Sequence, residues 1–181
     1  MENKRLDKNS RPKTINNREK KLNPNDFIVS KTDKRGFITY FNEIFLDMSG
    51  YDRHELYYAN HNLIRHPDMP QIAFKVAWEL VQNRKEFFGF VKNLAKDGSF
   101  YWVFAYITAD YNNSGEITGY TSFRRKPNDN AIKTIEPIYQ LLLEKERSEG
   151  VSASGAFLND FLNDKGLTYD ELVINLQQNK G

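Results

Sequence analysis

The feature that most constrains the fold is the order of short strand-like runs, two before a helical segment and three after it. The first two, Phe27–Val29 and Phe37–Phe41, flank a turn that ends at Gly36. The other three follow later in the chain, with glycine-containing turns between them: Phe87–Ala95, Phe100–Ala109 and Ile117–Arg125. Tight turns join antiparallel strands, whereas parallel strands need long crossovers. The order therefore predicts an α+β fold, a five-stranded antiparallel sheet with helices covering one face.

Two helices are predicted between these sets of strands. Residues Gln71–Asn83 are apolar or small except for a narrow polar stripe, which predicts a mostly buried helix. A shorter helix is predicted to begin at Asn42 and to end at Gly50, because Asn favours the N-cap and Gly favours the position after the last turn. Asp68, three residues before Gln71, has the spacing of a capping box at the start of the longer helix.

The two ends of the chain are predicted to be less regular than its middle. Residues 1–24 carry eight Lys and Arg side chains against three acidic ones and lack an apolar stripe, so we expect a basic arm that is mobile or loosely docked. Residues 25–127 form the predicted domain. They are followed by a connecting helix over residues 128–149, interrupted at Pro137, and by a flexible linker with small helices over residues 150–181. The last of these helices starts with a capping box at Thr168.

Composition and motifs exclude several kinds of chemistry. The chain has no Cys, which rules out disulfides, thiolate metal sites and cysteine nucleophiles. Its 26 Lys and Arg against 24 Asp and Glu leave a net charge of +2, too balanced for a main partner that is nucleic acid. No glycine-rich phosphate loop, nucleophile elbow or zinc-type histidine pair is present in the sequence. We therefore expect a protein that is not an enzyme. With no export signal and no apolar run near the roughly 18 residues of a membrane span, we expect it in the cytoplasm.

In a fold of this type, the space between the sheet and its helices is the natural ligand site. Asn93 ends an apolar row of the third strand, where its amide either pairs with backbone at the rim or faces a ligand. Arg65 and His66 precede the start of a helix, where free N–H groups and the helix dipole favour a phosphate. Asn42 is either a helix cap or a ligand contact.

Several runs of the sequence resemble the sensory PAS domain of bacterial aerotaxis receptors. The most specific is Arg65–Pro70, which reads Arg-His-Pro-Asp-Met-Pro. The other resembling runs are Thr39–Phe45, Ser49–Tyr51, His61–Ile64, Val91–Asn93, Tyr101–Val103 and Ile135–Tyr139. Together they span residues 25–143, most of the chain. The resemblance implies a PAS fold and a redox or oxygen sensor for energy taxis that binds FAD.

The resemblance also implies which residues line the flavin pocket. By their position in the family, Asn42, Phe74 and Asn93 would contact the flavin. Phe87 stands where the family has a Trp near the flavin, and this departure keeps an apolar wall but loses an indole N–H.

A second group of residues is implied to hold the FAD through its diphosphate side. These residues are Arg65, His66 and Asp68 of the Arg-His-Pro-Asp-Met-Pro run. Reasoning from the residues alone reaches Arg65 and His66 as well, because both precede a helix N-terminus.

Aerotaxis receptors continue into a membrane anchor and a signalling coiled coil, and the sequence predicts neither here. The resemblance therefore implies a stand-alone sensor subunit whose partner is a separate, membrane-bound chemoreceptor-type signalling subunit. That partner would bring the chain to the inner face of the membrane, and a homodimer also stays open. Two alternatives remain: a haem-binding PAS gas sensor with His61 or His66 as axial ligand, and a ligand-free PAS module for protein–protein contact.

Overall fold

A single antiparallel sheet organises the computed structural model, which describes residues 5–178. Its strand order is β2-β1-β5-β4-β3. The strands are β1 (Phe27–Asp33), β2 (Ile38–Phe41), β3 (Phe87–Leu94), β4 (Phe100–Tyr111) and β5 (Ile117–Arg125). Hairpins join β1 to β2, β3 to β4 and β4 to β5, and β5 returns to pair with β1. The predicted five-stranded antiparallel sheet is confirmed.

Three helices and a 3-10 turn connect β2 to β3. They are α1 (Glu43–Ser49), α2 (Arg53–Leu56), the turn His61–Ile64 and α3 (Gln71–Gln82). As predicted, α1 ends at Gly50, whose φ of 70° is the left-handed conformation that glycine adopts without strain. The prediction that α3 is mostly buried is wrong. Its buried residues lie on one side, and Trp78 is 42% exposed where it packs edge-on against Tyr120.

The strand register divides the sheet into two faces, because successive side chains point to opposite sides. Asn93 pairs with Tyr101, and Ala105 pairs with Arg124. These residues share the side on which the Arg124 guanidinium lies over the Phe45 ring of α1, and we call this side the inner face. The alternate residues form the outer face, which includes Lys92, Trp102 and Phe104.

Three helices follow the sheet: α4 (Asp129–Glu149), α5 (Val151–Lys165) and α6 (Tyr169–Gln177). The sequence predicts that Pro137 kinks or restarts the connecting helix, and α4 runs through Pro137 as one continuous helix, without a restart. The predicted flexible linker is also wrong, because its residues form the first turns of α5. A Cβ at Gly155 would lie 3.1 Å from Ile72 Cδ1, so this glycine allows close packing of α5 on α3. The predicted capping box at Thr168 is confirmed.

The N-terminal segment is docked on the domain, contrary to the prediction of a mobile or loosely held arm. Asn16 N donates to Gly98 O at 2.9 Å, and Lys20 N donates to Phe100 O at 2.7 Å. Leu22 is buried in the core. Backbone hydrogen bonds to the β3–β4 turn therefore replace the apolar stripe that the sequence lacks. The first four residues of the predicted arm, and the last three of the predicted tail, lie outside the described residues.

No helix within residues 5–178 combines the length and the apolar character that a membrane crossing requires.

Candidate functional site

A buried arginine lies at the centre of the inner face. Arg124 is 3% exposed, its Nη2 donates to Ser30 Oγ on β1, and its guanidinium carbon lies 4.7 Å from the centre of the Phe45 ring. Its Nε and Nη1 have no partner within residues 5–178, and no ion pair there includes it. Burial lowers the pKa of Arg124 to about 10, so the side chain stays protonated at neutral pH. Burying a charged group without an anion to balance it is unfavourable for folding. The two unpartnered nitrogens of Arg124 are therefore candidate contacts for a ligand.

Three further polar side-chain atoms of the sheet and of the β2–β3 connection are buried without partners in the described part of the chain. They are Asn93 Nδ2 and the hydroxyl groups of Tyr51 and Tyr101. Asn93 and Tyr101 are direct neighbours across β3 and β4. Burial raises the pKa of Tyr51 to about 12 and also raises that of Tyr101, so both hydroxyl groups remain protonated. Together with Arg124, they leave several buried hydrogen-bond donors unused.

His66 adds another donor at the edge of the sheet. Its Nδ1 accepts a hydrogen bond from the backbone N–H of Asp68 at 3.1 Å. In a neutral imidazole the proton then resides on Nε2. Burial lowers the pKa of His66 to about 4, so the ring is neutral at physiological pH. The Nε2 atom is buried and has no partner among the described residues.

Arg65 is held next to His66 by an aromatic side chain of α3. Its guanidinium carbon lies 4.0 Å from the centre of the Phe74 ring, and its Nη2 donates to Met69 O at 3.2 Å. The backbone of the same segment pairs with β3, where Arg65 bridges Asn93. Burial lowers the pKa of Arg65 to about 10, which leaves it charged at neutral pH. Phe74 therefore orients a cation beside the inner face, a role that sequence reasoning did not assign to it.

Asp68 does not cap α3, contrary to the sequence prediction. The N-cap is Pro70, without a side-chain hydrogen bond. Asp68 Oδ2 instead lies 2.9 Å from Lys92 Nζ, whose other carboxylate partner is Glu136 of α4 at 3.3 Å. Partial burial acts to raise the pKa of Asp68, but the hydrogen bond and charge of Lys92 lower it overall. The Asp68 carboxylate is thus engaged with the outer face of the sheet.

The N-terminus of α3 does hold an anion, and the anion belongs to the chain itself. Glu146 of α4 accepts hydrogen bonds from Gln71 N at 2.9 Å and Ile72 N at 2.8 Å. A depression of about 610 Å³ adjoins this contact. Its lining comes from the N-terminal segment, the loop before α3 and α4, and includes Lys8, Arg11, Asn62, Arg65, His66, Gln71, Glu146 and Arg147. A carboxylate of the chain therefore occupies the helix N-terminus at which the sequence predicts a phosphate.

Two residues that the resemblance places in the pocket make other contacts. Asn42 Oδ1 accepts from Val29 N at 3.0 Å, and its Nδ2 donates to Phe27 O at 2.7 Å. Asn42 therefore ties the start of α1 to β1 and does not cap the helix with its side chain. Phe87 is buried and stacks on Tyr169 of α6, with the ring centres 5.9 Å apart. Asn42 is therefore not among the buried unpartnered donors, and Phe87 has no polar side-chain atom.

Sequence reasoning missed Arg124, although strand periodicity contained a signal for it. Tyr120, Ser122 and Arg124 alternate along β5 and are buried, whereas Phe123 between them is 43% exposed. A charged residue in the same row as Tyr120 could have been noticed. Which row faces inward depends on how the sheet packs, and the sequence did not show that.

His61 belongs to the same interior cluster as Arg124. Its Nε2 lies 3.2 Å from Ser30 Oγ, and its ring stacks on Phe45 with the ring centres 5.9 Å apart. Burial and, to a smaller degree, the charge of Arg124 lower the pKa of His61 to about 3. His61 is therefore a neutral partner of Ser30 at physiological pH.

Residues 38–124 match the model of the PAS fold family. The aerotaxis receptor of Escherichia coli K12 is 39% identical over 115 residues, which are 64% of this chain and 22% of the receptor. The nitrogen fixation regulatory protein of Klebsiella pneumoniae is 32% identical over 97 residues, 54% of this chain and 20% of that protein. The chain thus spans about a fifth of the length of these curated relatives, 22% and 20%.

Solved structures show the same fold. A light-oxygen-voltage domain studied with a flavin analogue superposes with a TM-score of 0.53 at 22% identity, over 68% of this chain and 87% of that one. The light-state structure of the blue-light photoreceptor Aureochrome1 LOV gives a TM-score of 0.53 at 18% identity, over 60% and 86% of the two chains. The predicted PAS fold is confirmed, and the predicted similarity to an aerotaxis receptor is found over 115 residues.

Proposed function

We propose that this chain is a redox sensor that binds FAD between the inner face and its helices and signals to a chemotaxis partner. The observation that carries the proposal is the set of buried donors without partners: Arg124 Nε and Nη1, Asn93 Nδ2 and His66 Nε2. A flavin ring edge and a diphosphate both present acceptors to such donors. The similarity to an aerotaxis receptor and to a domain studied with a flavin analogue supports the choice of a flavin.

The residues of the site would each contribute a defined interaction. A bound flavin supplies a reversible redox change that alters the charge and protonation of its polar ring edge. Arg124 would hold a fixed positive charge against that edge. Asn93 can rotate its amide and exchange a donor for an acceptor, and Arg65 and His66 would hold the phosphate side.

A path from this site to the C-terminal helices runs through β3. Tyr139 of α4 donates a hydrogen bond to Phe90 O on β3 at 2.9 Å, and Glu136 of α4 pairs with Lys92. A shift of β3 at Asn93 would therefore reach α4. A signal results if the partner prefers one redox state by about 1–3 kcal/mol. We place a membrane-bound chemoreceptor-type subunit in that role, with the chain acting as a sensor and not as an enzyme.

Haem is the second ligand to consider, but the hydrogen bonds of the two histidines disfavour it. A histidine that binds iron through Nε2 normally donates its Nδ1–H to a second group. His66 has the opposite arrangement, because its Nδ1 accepts from the Asp68 N–H. His61 has its Nε2 engaged with Ser30. Either histidine would have to rearrange before it could serve as an axial ligand.

The visible absorption spectrum of freshly purified full-length protein tests the proposal directly. Two flavin bands, with FAD identified in the heat-released supernatant, are the expected result. A strong Soret band would replace the flavin with haem. A colourless protein that FAD cannot reconstitute would leave a ligand-free interaction module, in which buried donors such as Arg124 and Asn93 stay unpaired.

Asn93 allows a test of signalling that is separate from binding. We expect Asn93→Asp and Asn93→Ala to uncouple the response from the redox state of the flavin, because both lose the amide that can exchange donor for acceptor. Asn113→Ala is the matched control, since Asn113 is exposed in the β4–β5 turn. The readout is co-purification with the native chemoreceptor subunit under oxidising and reducing conditions. If both Asn93 variants still co-purify with the subunit in a redox-dependent way, Asn93 is not part of the signalling pathway. If the wild type does not co-purify with the subunit at all, the proposed partner is wrong.

A further inference from the structure

The N-terminus of α3 is closed by a carboxylate that lies 75 residues further along the chain. Both oxygens of Glu146 accept backbone N–H groups, from Gln71 at 2.9 Å and from Ile72 at 2.8 Å. The first N–H groups of a helix have no intrahelical partners and carry the positive end of its dipole. Because the N-cap Pro70 offers no side-chain acceptor, Glu146 takes that place and fastens α4 to the start of α3.

The lining of the depression beside this contact has more cationic than acidic side chains, while Asp7 near Arg11 and Asp68 near His66 and Arg147 lie outside that lining. The depression of about 610 Å³ beside it has Glu146 as the single acidic residue of its lining. Its cationic lining residues are Lys8, Arg11, Arg65 and Arg147. His66 lines the same depression, is 4% exposed, and has an Nε2 without a partner in the described part of the chain. Such a set of cations and donors fits a ligand group with more than one negative charge, as in a diphosphate.

We propose that Glu146 is a displaceable latch on this phosphate position. While the position holds no phosphate, the carboxylate occupies the two N–H groups and keeps α4 against α3. The diphosphate of a bound dinucleotide takes over those donors and releases Glu146. This inference rests on the proposed FAD binding, and it makes α4 the element that reports whether the phosphate side of the site is filled.

The remaining anchors of α4 confine the movement to its C-terminal half. Glu136 pairs with Lys92, and Tyr139 donates to Phe90 O, so the first half of α4 stays on β3. Glu146 lies in the last turns of the helix, which ends at Gly150 with a φ of 90°. Release of Glu146 therefore frees the end of α4 and its junction with α5, while the sheet keeps its contacts.

The test compares a flavin that carries phosphate with one that does not, on the full chain. We expect Glu146→Gln to tighten FAD binding about tenfold, since it removes a charged competitor for two hydrogen bonds, and to leave riboflavin binding unchanged. Glu144→Gln is the matched control, because it removes the same charge from an exposed position of the same helix. In the wild type, hydrogen exchange over residues 143–149 should rise with FAD and stay constant with riboflavin.

Several outcomes would overturn the latch. The latch is wrong if Glu146→Gln changes the affinities for FAD and riboflavin equally, or if it weakens FAD binding. It is also wrong if FAD binding leaves the hydrogen exchange of α4 in the wild type unchanged. If neither flavin binds the wild type, the proposed function fails, and inorganic pyrophosphate then tests the latch alone by calorimetry. Tighter pyrophosphate binding by Glu146→Gln than by the wild type and Glu144→Gln would support it, and equal binding by all three would end it.

Discussion

Two buried cations lie on opposite faces of the same sheet, and the chain treats them differently. Lys92 on the outer face has two carboxylate partners, Asp68 at 2.9 Å and Glu136 at 3.3 Å. Arg124 on the inner face has a single hydrogen bond, to Ser30, and two unpartnered nitrogens among the described residues. Both side chains are nearly inaccessible to water.

The difference separates a structural ion cluster from the proposed binding site. Lys92 joins the loop before α3 to α4, and its charge is balanced within the fold. Arg124 keeps two unpartnered nitrogens and joins no ion pair, so no carboxylate of the described residues balances its charge. Because burial of an unpaired charge is unfavourable, a chain that keeps Arg124 gives up stability when no ligand is bound. The three predictions below would break or sharpen this distinction.

The largest effect is expected from Arg124→Met. We expect FAD affinity to fall about 100-fold, because a charge-assisted contact is lost and nearby donors lose their alignment. The flavin-free protein should become more stable by about 1 kcal/mol, since an unpaired buried charge is replaced by an apolar side chain of similar length. Fluorescence titration and chemical denaturation measure the two effects. Arg125→Met, on the outer face over Phe104, is the control, and a clear loss of stability in Arg124→Met would contradict the comparison.

Lys92→Met should behave in the opposite way. It leaves Asp68 and Glu136 without their shared cation, and we expect the free energy of unfolding to fall by about 2 kcal/mol with or without flavin. The carboxylates are 40% and 42% exposed, so water offsets part of their loss. Lys96 forms an ion pair with Glu55 at the surface, so Lys96→Met should lower the free energy of unfolding by less than about 1 kcal/mol. Flavin binding that fails in Lys92→Met while its fold is retained would place Lys92 in the site.

The smallest effect concerns acid stability through His61, which lies beside Arg124. Burial first, and the charge of Arg124 second, lower the pKa of His61 to about 3, below about 6.5 in an unfolded chain. The unfolded state therefore binds the proton first, and stability present above pH 6.5 is lost as the pH falls toward 3. Between pH 7 and 5.5 we expect the free energy of unfolding of His61→Phe to fall by about 1 kcal/mol less than that of the wild type. Arg124→Met should also lose less stability than the wild type over this pH range, by a smaller amount, because it removes one cause of the low pKa of His61.

Denaturant unfolding of the flavin-free chain at both pH values measures this difference, and His54→Asn on exposed α2 controls for loss of a histidine alone. Identical acid loss in the wild type and His61→Phe would show that His61 titrates normally in the folded chain.

Local patterns in the sequence predicted the strands, the long helix after Pro70 and the capping box at Thr168, because each depends on neighbours within a few residues. The same patterns failed for residues 150–155. Small residues there indicated a flexible linker, whereas Gly155 allows α5 to approach Ile72 of α3. They also failed for residues 5–24, where the docking bonds are made by backbone atoms, which any sequence possesses.

For the site, both the residue patterns and the resemblance indicated Arg65, His66 and Asn93, and all three lie at the end of β3. Phe74 was assigned to the flavin by family position alone, and its contact with Arg65 came from the fold. Asn42 was read as a helix cap or a ligand contact, but its amide is engaged with the β1 backbone. The choice among a cap, a strand contact and a ligand contact depends on which backbone groups lie nearby, and periodicity does not report that.

By itself, the sequence determined the order of strands, turns and helices and the exclusion of cysteine chemistry, since these follow from residue types and short spacings, and its resemblance to a known family implied the PAS-type arrangement. Only the tertiary structure decided which polar groups remain without partners and which anion occupies the start of α3. Glu146 and Gln71 are 75 residues apart, and Arg124 and Ser30 are 94 residues apart. Contacts over such distances depend on how whole elements pack, and no local pattern encodes whether a buried charge will find its partner there.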